Sequence, residues 1–193
     1  MKQKHNIDTI LENGLELIRE KGYHNTGIDE ILKINRIPRG SFYNFFKSKE
    51  DFGIKAIQRY TEQQIKWIEG ILSDESRSVY KRLQYFYIKL IAGNLEENYR
   101  KGCLVGNMAQ ELGGLNEAIS QQADESLKEI TKIISKCIQE GQESGEIRDD
   151  YPANELAEYL HNSFYGFLLR SKAGQNKKHF DIFMEMVFNF IKK

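Results

Sequence analysis

Proline and cysteine are scarce in this chain, with two of each in 193 residues, and there is no net charge of either sign. So little proline leaves long stretches free to be helical. The two cysteines, Cys103 and Cys137, lie far apart, which argues against a structural disulfide in a chain without marks of export. Two thiols cannot build a zinc site by themselves. The four histidines (His5, His24, His161 and His179) form no ligand-spaced pair, so no metal and no cofactor are expected. No apolar run approaches the roughly 20 residues that a membrane span needs. The opening MKQKHNIDTILE lacks the apolar core of a signal peptide, which makes the cytoplasm the expected address. Also missing are a GxSxG elbow, an HExxH pair, a glycine-rich phosphate loop and any cue joining a cysteine to a catalytic histidine. A hydrolase or thiol enzyme is therefore not expected.

The zero net charge hides an asymmetry. Between Lys33 and Lys49 stand five basic residues (Lys33, Arg36, Arg39, Lys47, Lys49) and no acidic one, whereas acidic residues dominate from Asn94 to Tyr165. A basic patch beside an acidic remainder attracts a polyanion at one end and keeps it off the other.

Apolar residues recur at helical spacing nearly throughout, and no alternating strand pattern of useful length appears, so an all-α fold of about nine helices is expected. Ile7, Ile10, Leu11, Gly14, Leu15 and Ile18 mark a first helix that Gly22 ends as a C-terminal cap. Thr26 reads as the N-cap of a short second helix with Asp29 and Glu30 in its first turn. Asn35-Arg36 leads to a third helix from Pro38 to Phe46, with the proline in its first turn. Ser48 then caps a long fourth helix. Further helices follow over about 76–97, across GCLVGNMAQELGG, from Asn116 to Gly141, from Pro152, and through Phe180–Ile191.

Two short helices joined by a tight turn, the second one basic, make a helix-turn-helix. Gly40 lets the recognition helix approach a phosphate backbone with no side chain in the way. Arg39 can reach a guanine edge or a phosphate. Ser41 and Tyr43 are short, rigid donors to phosphate oxygens, and Asn44 projects beside them. Lys49 adds a cation next to helix-terminal amides. Phe42 and Phe46 face the small core. Residues 7–52, in ILENGLELIREKGYHNTGIDEILKI and PRGSFYNFFKSKEDF, resemble the DNA-binding domain of TetR-family regulators. That resemblance implies Thr26, Gly27, Arg36, Arg39, Gly40, Ser41, Tyr43, Asn44 and Lys49 as contacts to double-stranded operator DNA. One position departs from the family pattern. Where the inter-helix turn usually has glycine, this chain has Arg36, and a left-handed backbone there costs about 1 kcal/mol or more. Either Asn35 takes the strained position, or Arg36 takes it and lends its guanidinium to a phosphate.

The resemblance also implies a division into a DNA-binding domain over residues 1–50 and an effector-binding and dimerisation domain over 51–193. The wide apolar stripes of the last two helices (Leu160, Phe164, Phe167 and Leu168; Phe183, Val187 and Phe188) suit an intermolecular four-helix bundle in a homodimer, with an intramolecular core as the alternative for any single residue. A small-molecule effector would be lined by Tyr85, Phe86, Met108, Leu112, His161, Phe164 and Tyr165. The block GCLVGNMAQEL resembles a branch of the family that includes electrophile-sensing repressors. It implies that Cys103, near a helix N-terminus and after Arg100-Lys101, is a candidate redox switch with Lys172 as the residue able to approach it. The alternative is that Cys103 is a small packed residue. The function these readings imply is a sequence-specific DNA-binding regulator, a repressor by family habit, released by a small molecule or by thiol modification. An interaction protein with a vestigial helix-turn-helix is the rival reading.

Overall fold

Nine helices make up the regular structure of residues 6–193, which the computed structural model describes: α1 (Ile7–Lys21), α2 (Ile28–Asn35), α3 (Arg39–Phe45), α4 (Lys49–Leu72), α5 (Val79–Glu96), α6 (Leu104–Leu112), α7 (Glu117–Glu143), α8 (Ala153–Gly174) and α9 (Lys178–Ile191). Among the described residues no helix is long and apolar enough to cross a membrane. The chain divides into two compact units. The first comprises residues up to Gln63 together with Cys103–Leu127, and the second Gln64–Gly102 together with Lys128–Lys193. Compactness therefore groups α6 with the DNA-reading helices.

The first unit closes over one apolar core. Ile10, Leu11, Leu15 and Ile18 of α1 pack with Ile31, Phe42, Phe46, Phe52, Leu104, Val105 and Met108. Phe42, Phe46 and Phe52 form a triangle with ring centroids 4.9, 5.0 and 5.8 Å apart. Gly14 exists for this packing: a Cβ there would stand 2.3 Å from the Phe52 ring. Gly22 caps α1 at φ 87°, as the sequence leads one to expect. Ser48 Oγ accepts from the Asp51 amide at 3.1 Å, so it caps α4 as expected, while Asp51 Oδ2 accepts from the Lys47 amide at 2.8 Å.

Two local expectations change. Gly27, not Thr26, is the N-cap of α2, because the Thr26 hydroxyl donates backwards to the Gly22 carbonyl at 2.8 Å. Pro38 precedes α3 as its N-cap with extended ψ, instead of sitting in its first turn. The question left open at the α2–α3 turn is answered by Arg36, which takes the left-handed conformation at φ 52°. Asn35 is occupied otherwise: its amide donates to the Ile31 carbonyl and its oxygen accepts from Asn13.

The second unit is built around Tyr87 on α5, a fully buried ring in contact with Phe86, Phe164, Phe183 and Phe188. The Val79 and Tyr80 amides at the start of α5 donate to Glu146, whose pKa is held below its usual value by a hydrogen bond from Ser78, against the opposing effect of burial, and by these amides. The stripes assigned to a dimer interface belong to this core instead. Leu160, Phe164, Phe167, Phe183, Val187 and Phe188 are all buried within the unit, and Leu168 packs against them. The reason is helix phase: α8 and α9 pack mainly on each other, and their largest apolar residues fill that seam.

Candidate DNA-reading and effector sites

The helix-turn-helix presents a polar face built by elimination. On α3, Phe42 turns into the core, which leaves Arg39, Gly40, Tyr43 and Asn44 exposed and Ser41 half-buried. Arg36 and Gly27 are exposed beside them. Arg39 lies 3.4 Å from Asp29, an exposed pair that gives way easily to a stronger anion. A Cβ added at Gly40 or Gly27 would meet nothing within 4 Å, so neither glycine serves internal packing. Tyr43 is half exposed, and its ring edge rests on Phe42, fixing where its hydroxyl points.

Two of the expected contacts are engaged within the protein. Thr26 is fully buried with its hydroxyl committed to Gly22, so its side chain holds the turn and does not reach outward. Lys49 stacks its ammonium over the Tyr23 ring at 4.4 Å and donates to the His24 carbonyl at 3.3 Å. Burial lowers the Lys49 pKa, against the pull of Glu111. Tyr23 is pushed up to about 12 by burial, with Glu50 and Glu111 adding to it.

The expected effector residues fall into both units. In the second, Phe86 and Phe164 are buried, Tyr165 is half-buried, and His161 is enclosed with Nδ1 3.2 Å from the Tyr87 hydroxyl. His161 Nε2 is buried and has no hydrogen-bond partner. Burial lowers the His161 pKa to about 4, so the ring is neutral. A neutral imidazole has one donor nitrogen and one acceptor nitrogen. If Tyr87 donates to Nδ1, then Nε2 carries the proton and faces the apolar surroundings as an unused donor. The reverse tautomer would strand the Tyr87 hydroxyl proton as well.

Tyr85 does not join this group. It lies one position from Phe86, hence about 100° around the helix, and is half-buried against Arg77 (4.4 Å) and Lys89 (5.4 Å). There it lines an open surface groove of about 530 Å³ together with Ser76, Arg77, Ser78, Lys81, Gln84 and Ile88.

In the first unit Met108 and Leu112 are buried core residues. Cys103 is half-buried at the N-cap of α6 and forms no disulfide. Tyr60, an apolar-stripe residue of α4 by its spacing, hydrogen-bonds its side chain to Cys103 and meets the Leu104 backbone amide. Lys172 is exposed on α8 in the second unit. Tyr60, Tyr87 and Glu111 were each missed because apolar periodicity reads an aromatic as core and a helical glutamate as solvated face.

Comparison with known proteins divides the chain differently, with α6 inside the C-terminal match. Residues 10–52 match the model for bacterial regulatory proteins of the tetR family, and residues 80–187 match the model for tetracyclin repressor-like C-terminal domains. The transcriptional repressor DhaR of Mycobacterium sp. (strain GP1) is 34% identical, over 93% of this chain and 88% of its own. The transcriptional regulator AcuR of Cereibacter sphaeroides is also 34% identical, over 85% of this chain and 75% of its own. The crystal structure of a regulatory protein TetR from Rhodobacter sphaeroides superposes with a TM-score of 0.88 at 31% identity, covering 95% of this chain and 97% of that one. Reduced Escherichia coli NemR shares the fold, with a TM-score of 0.88 at 22% identity over 94% of each chain. The chain belongs to the TetR family. It is an effector-responsive, DNA-binding transcriptional regulator whose helix-turn-helix lies at its N-terminus.

The buried neutral histidine ties stability to pH. The unfolded chain takes up a proton near the ordinary pKa of 6.5, and the folded chain refuses it until about 4. Stability is therefore intact above about 6.5 and falls as the pH drops toward 4, by on the order of 3 kcal/mol. Urea unfolding of wild type and His161→Gln between pH 7 and pH 4 should show this decline in the wild type and a shallower one in the variant. Parallel curves would contradict the assignment.

Proposed function

We propose that residues 1–50 read a two-half-site operator as part of a homodimer, that residues 51–193 dimerise and bind the effector, and that the protein represses until the effector releases it. The observation that carries this reading is the exposed set of Arg39, Gly40, Tyr43 and Asn44, with Ser41 half-buried among them, on a helix whose opposite face is locked by Phe42, and Arg36 exposed in the turn before it. Gly40 supports it independently. Its bareness has no use inside the protein, and close approach to a phosphate backbone supplies one. Repression is the direction printed in the names of the relatives DhaR and NemR. The work is done by binding equilibria and needs no catalytic step.

Two substitutions separate the roles. Arg39→Ala should relax sequence preference by about 1–3 kcal/mol while leaving binding to random duplexes nearly unchanged. Gly40→Ala should keep or slightly raise thermal stability, by up to about 1 kcal/mol, yet weaken specific binding roughly tenfold. The readout is fluorescence anisotropy with a duplex taken from upstream of the protein's own gene. Unaltered specific binding in both variants would refute the assignment of α3.

For the dimer, the corrected helix phase points to the outer faces of α8 and α9. Leu169, Ile182 and Met186 are 53, 49 and 64% exposed, and Tyr159 of α8 and Phe190 of α9, also exposed, meet at 5.0 Å with tilted rings. Gly166 on α8 has open space where a side chain would stand, which suits close helix approach. A second copy covers this face. Leu169→Glu combined with Met186→Glu should give a folded monomer in light scattering, with DNA affinity down roughly a hundredfold because one half-site binds alone. A persisting dimer would place the interface elsewhere.

The effector is held in the second unit against His161, whose Nε2 supplies a hydrogen-bond donor among Phe164, Tyr165 and Tyr87. Differential affinity for the DNA-free conformation, in which α4 tilts and the recognition helices change their spacing, then releases the operator. A second reading is favoured by the hydrogen bond between Tyr60 and Cys103: the thiol at the head of α6 is modified and α6 shifts. Treatment with N-ethylmaleimide should release wild type from DNA and leave Cys103→Ser bound. Equal release of both would end the thiol reading.

A further inference from the structure

Glu111, near the C-terminal end of α6, makes contacts that a solvated helix glutamate would not. Its two carboxylate oxygens each accept one backbone amide from the turn after α1, Tyr23 N–H at 2.8 Å and His24 N–H at 2.6 Å. The partners lie 88 and 87 residues away in sequence. The turn is shaped to admit the carboxylate. Gly22 has φ 87°, and a Cβ on it would come within 2.9 Å of Glu111 Oε2. The same turn is gripped from a third side, since Lys49 at the start of α4 lies over the Tyr23 ring and bonds the His24 carbonyl. Just beyond α6, Asn116 hydrogen-bonds Glu50, the next residue of α4. Met108, one turn before Glu111, lies against the Gly53 position that Tyr23 also packs on.

We propose that Glu111 is a positioning residue for DNA reading: its two-pronged bond to the Tyr23 and His24 amides sets the attitude of α2 and α3, and displacement of α6 acts on DNA affinity by breaking it. This deepens the regulator reading and rests on it. Several features favour coupling over simple packing. The turn runs directly into α2 through Thr26, which is itself tied to Gly22, so rotation of the turn is passed to the helix-turn-helix. α6 has only nine residues, about 13 Å, and moves as one rigid piece. Both amides depend on a single side chain, so a shift of about an ångström at α6 loses two bonds together. Electrostatics alone does not account for a carboxylate here, because a negative charge beside a phosphate-binding surface repels DNA.

That last point gives the test its sign. Removing the charge should tighten binding to any duplex if Glu111 acts only through electrostatics. If it positions the helices, Glu111→Ala should bind random-sequence duplex as well as or slightly better than wild type, yet lose tenfold or more against duplexes that the wild-type dimer selects from a random pool. Glu111→Gln, which keeps one acceptor, should fall between them and serves also if Glu111→Ala folds poorly. Hydrogen exchange, measured on the full-length protein without DNA, should find the Tyr23 and His24 amides protected in wild type and exchanging at least tenfold faster in Glu111→Ala. The idea is overturned if selected and random duplexes respond alike, or if those two amides stay protected. A wild-type protein that selects no duplex would instead sink the regulator reading, while the amide exchange would still decide whether Glu111 holds the turn.

Discussion

The helix-turn-helix stands on a turn that cannot satisfy itself. A backbone amide drawn away from water needs an acceptor, and the part-buried Tyr23 amide, with the exposed His24 amide beside it, finds one only in Glu111. Thr26 and Asn25 hold carbonyls at the end of α1, and the amides go to a carboxylate from a helix much later in sequence. Everything outward of that turn inherits its orientation. This gives a physical reason for α6 to belong to the same compact unit as the DNA-reading helices.

Much of this architecture was legible in the sequence because it rests on local rules. Helical periodicity, glycine at the end of α1, serine at the start of α4 and phenylalanines spaced to face inward are all short-range signals, and the helices appear where they indicate. Thr26 shows where such rules run out. A threonine before an acidic first turn reads as an N-cap, and only the backward bond to Gly22 reveals it as a turn-holder. Arg36 shows the converse. The departure from glycine was visible, yet which of two neighbours bears the left-handed backbone depended on Asn35 being tied to Ile31 and Asn13.

The second unit was harder to read because size hides phase. Apolar stripes on α8 and α9 are wide enough to serve two faces, and the larger residues were assigned to the wrong one. The seam between the helices takes Phe164, Phe167 and Phe183, and Phe188 packs on Tyr87 of α5, while the outward face keeps Leu169, Ile182, Met186 and Gly166. The bond between Tyr87 and His161 escaped for a related reason, although His161 itself was expected near the effector. A polar pair inside an aromatic core leaves no periodic signature, since each member occupies a position an apolar residue would fill.

The exposed face of α8 and α9 also bears on how the protein behaves when scarce. Covering Leu169, Ile182 and Met186 with a second copy makes stability depend on chain concentration, because dilution favours the separated, less protected protomer. On the proposed dimer, an operator with two half-sites binds the pair more tightly than the single chain, so by reciprocity it strengthens the pairing as much as pairing strengthens its own occupancy. On that proposal the DNA would be a structural component of the regulator as well as its target, and an effector that loosens the grip on DNA would also lower the stability of the assembly it leaves behind.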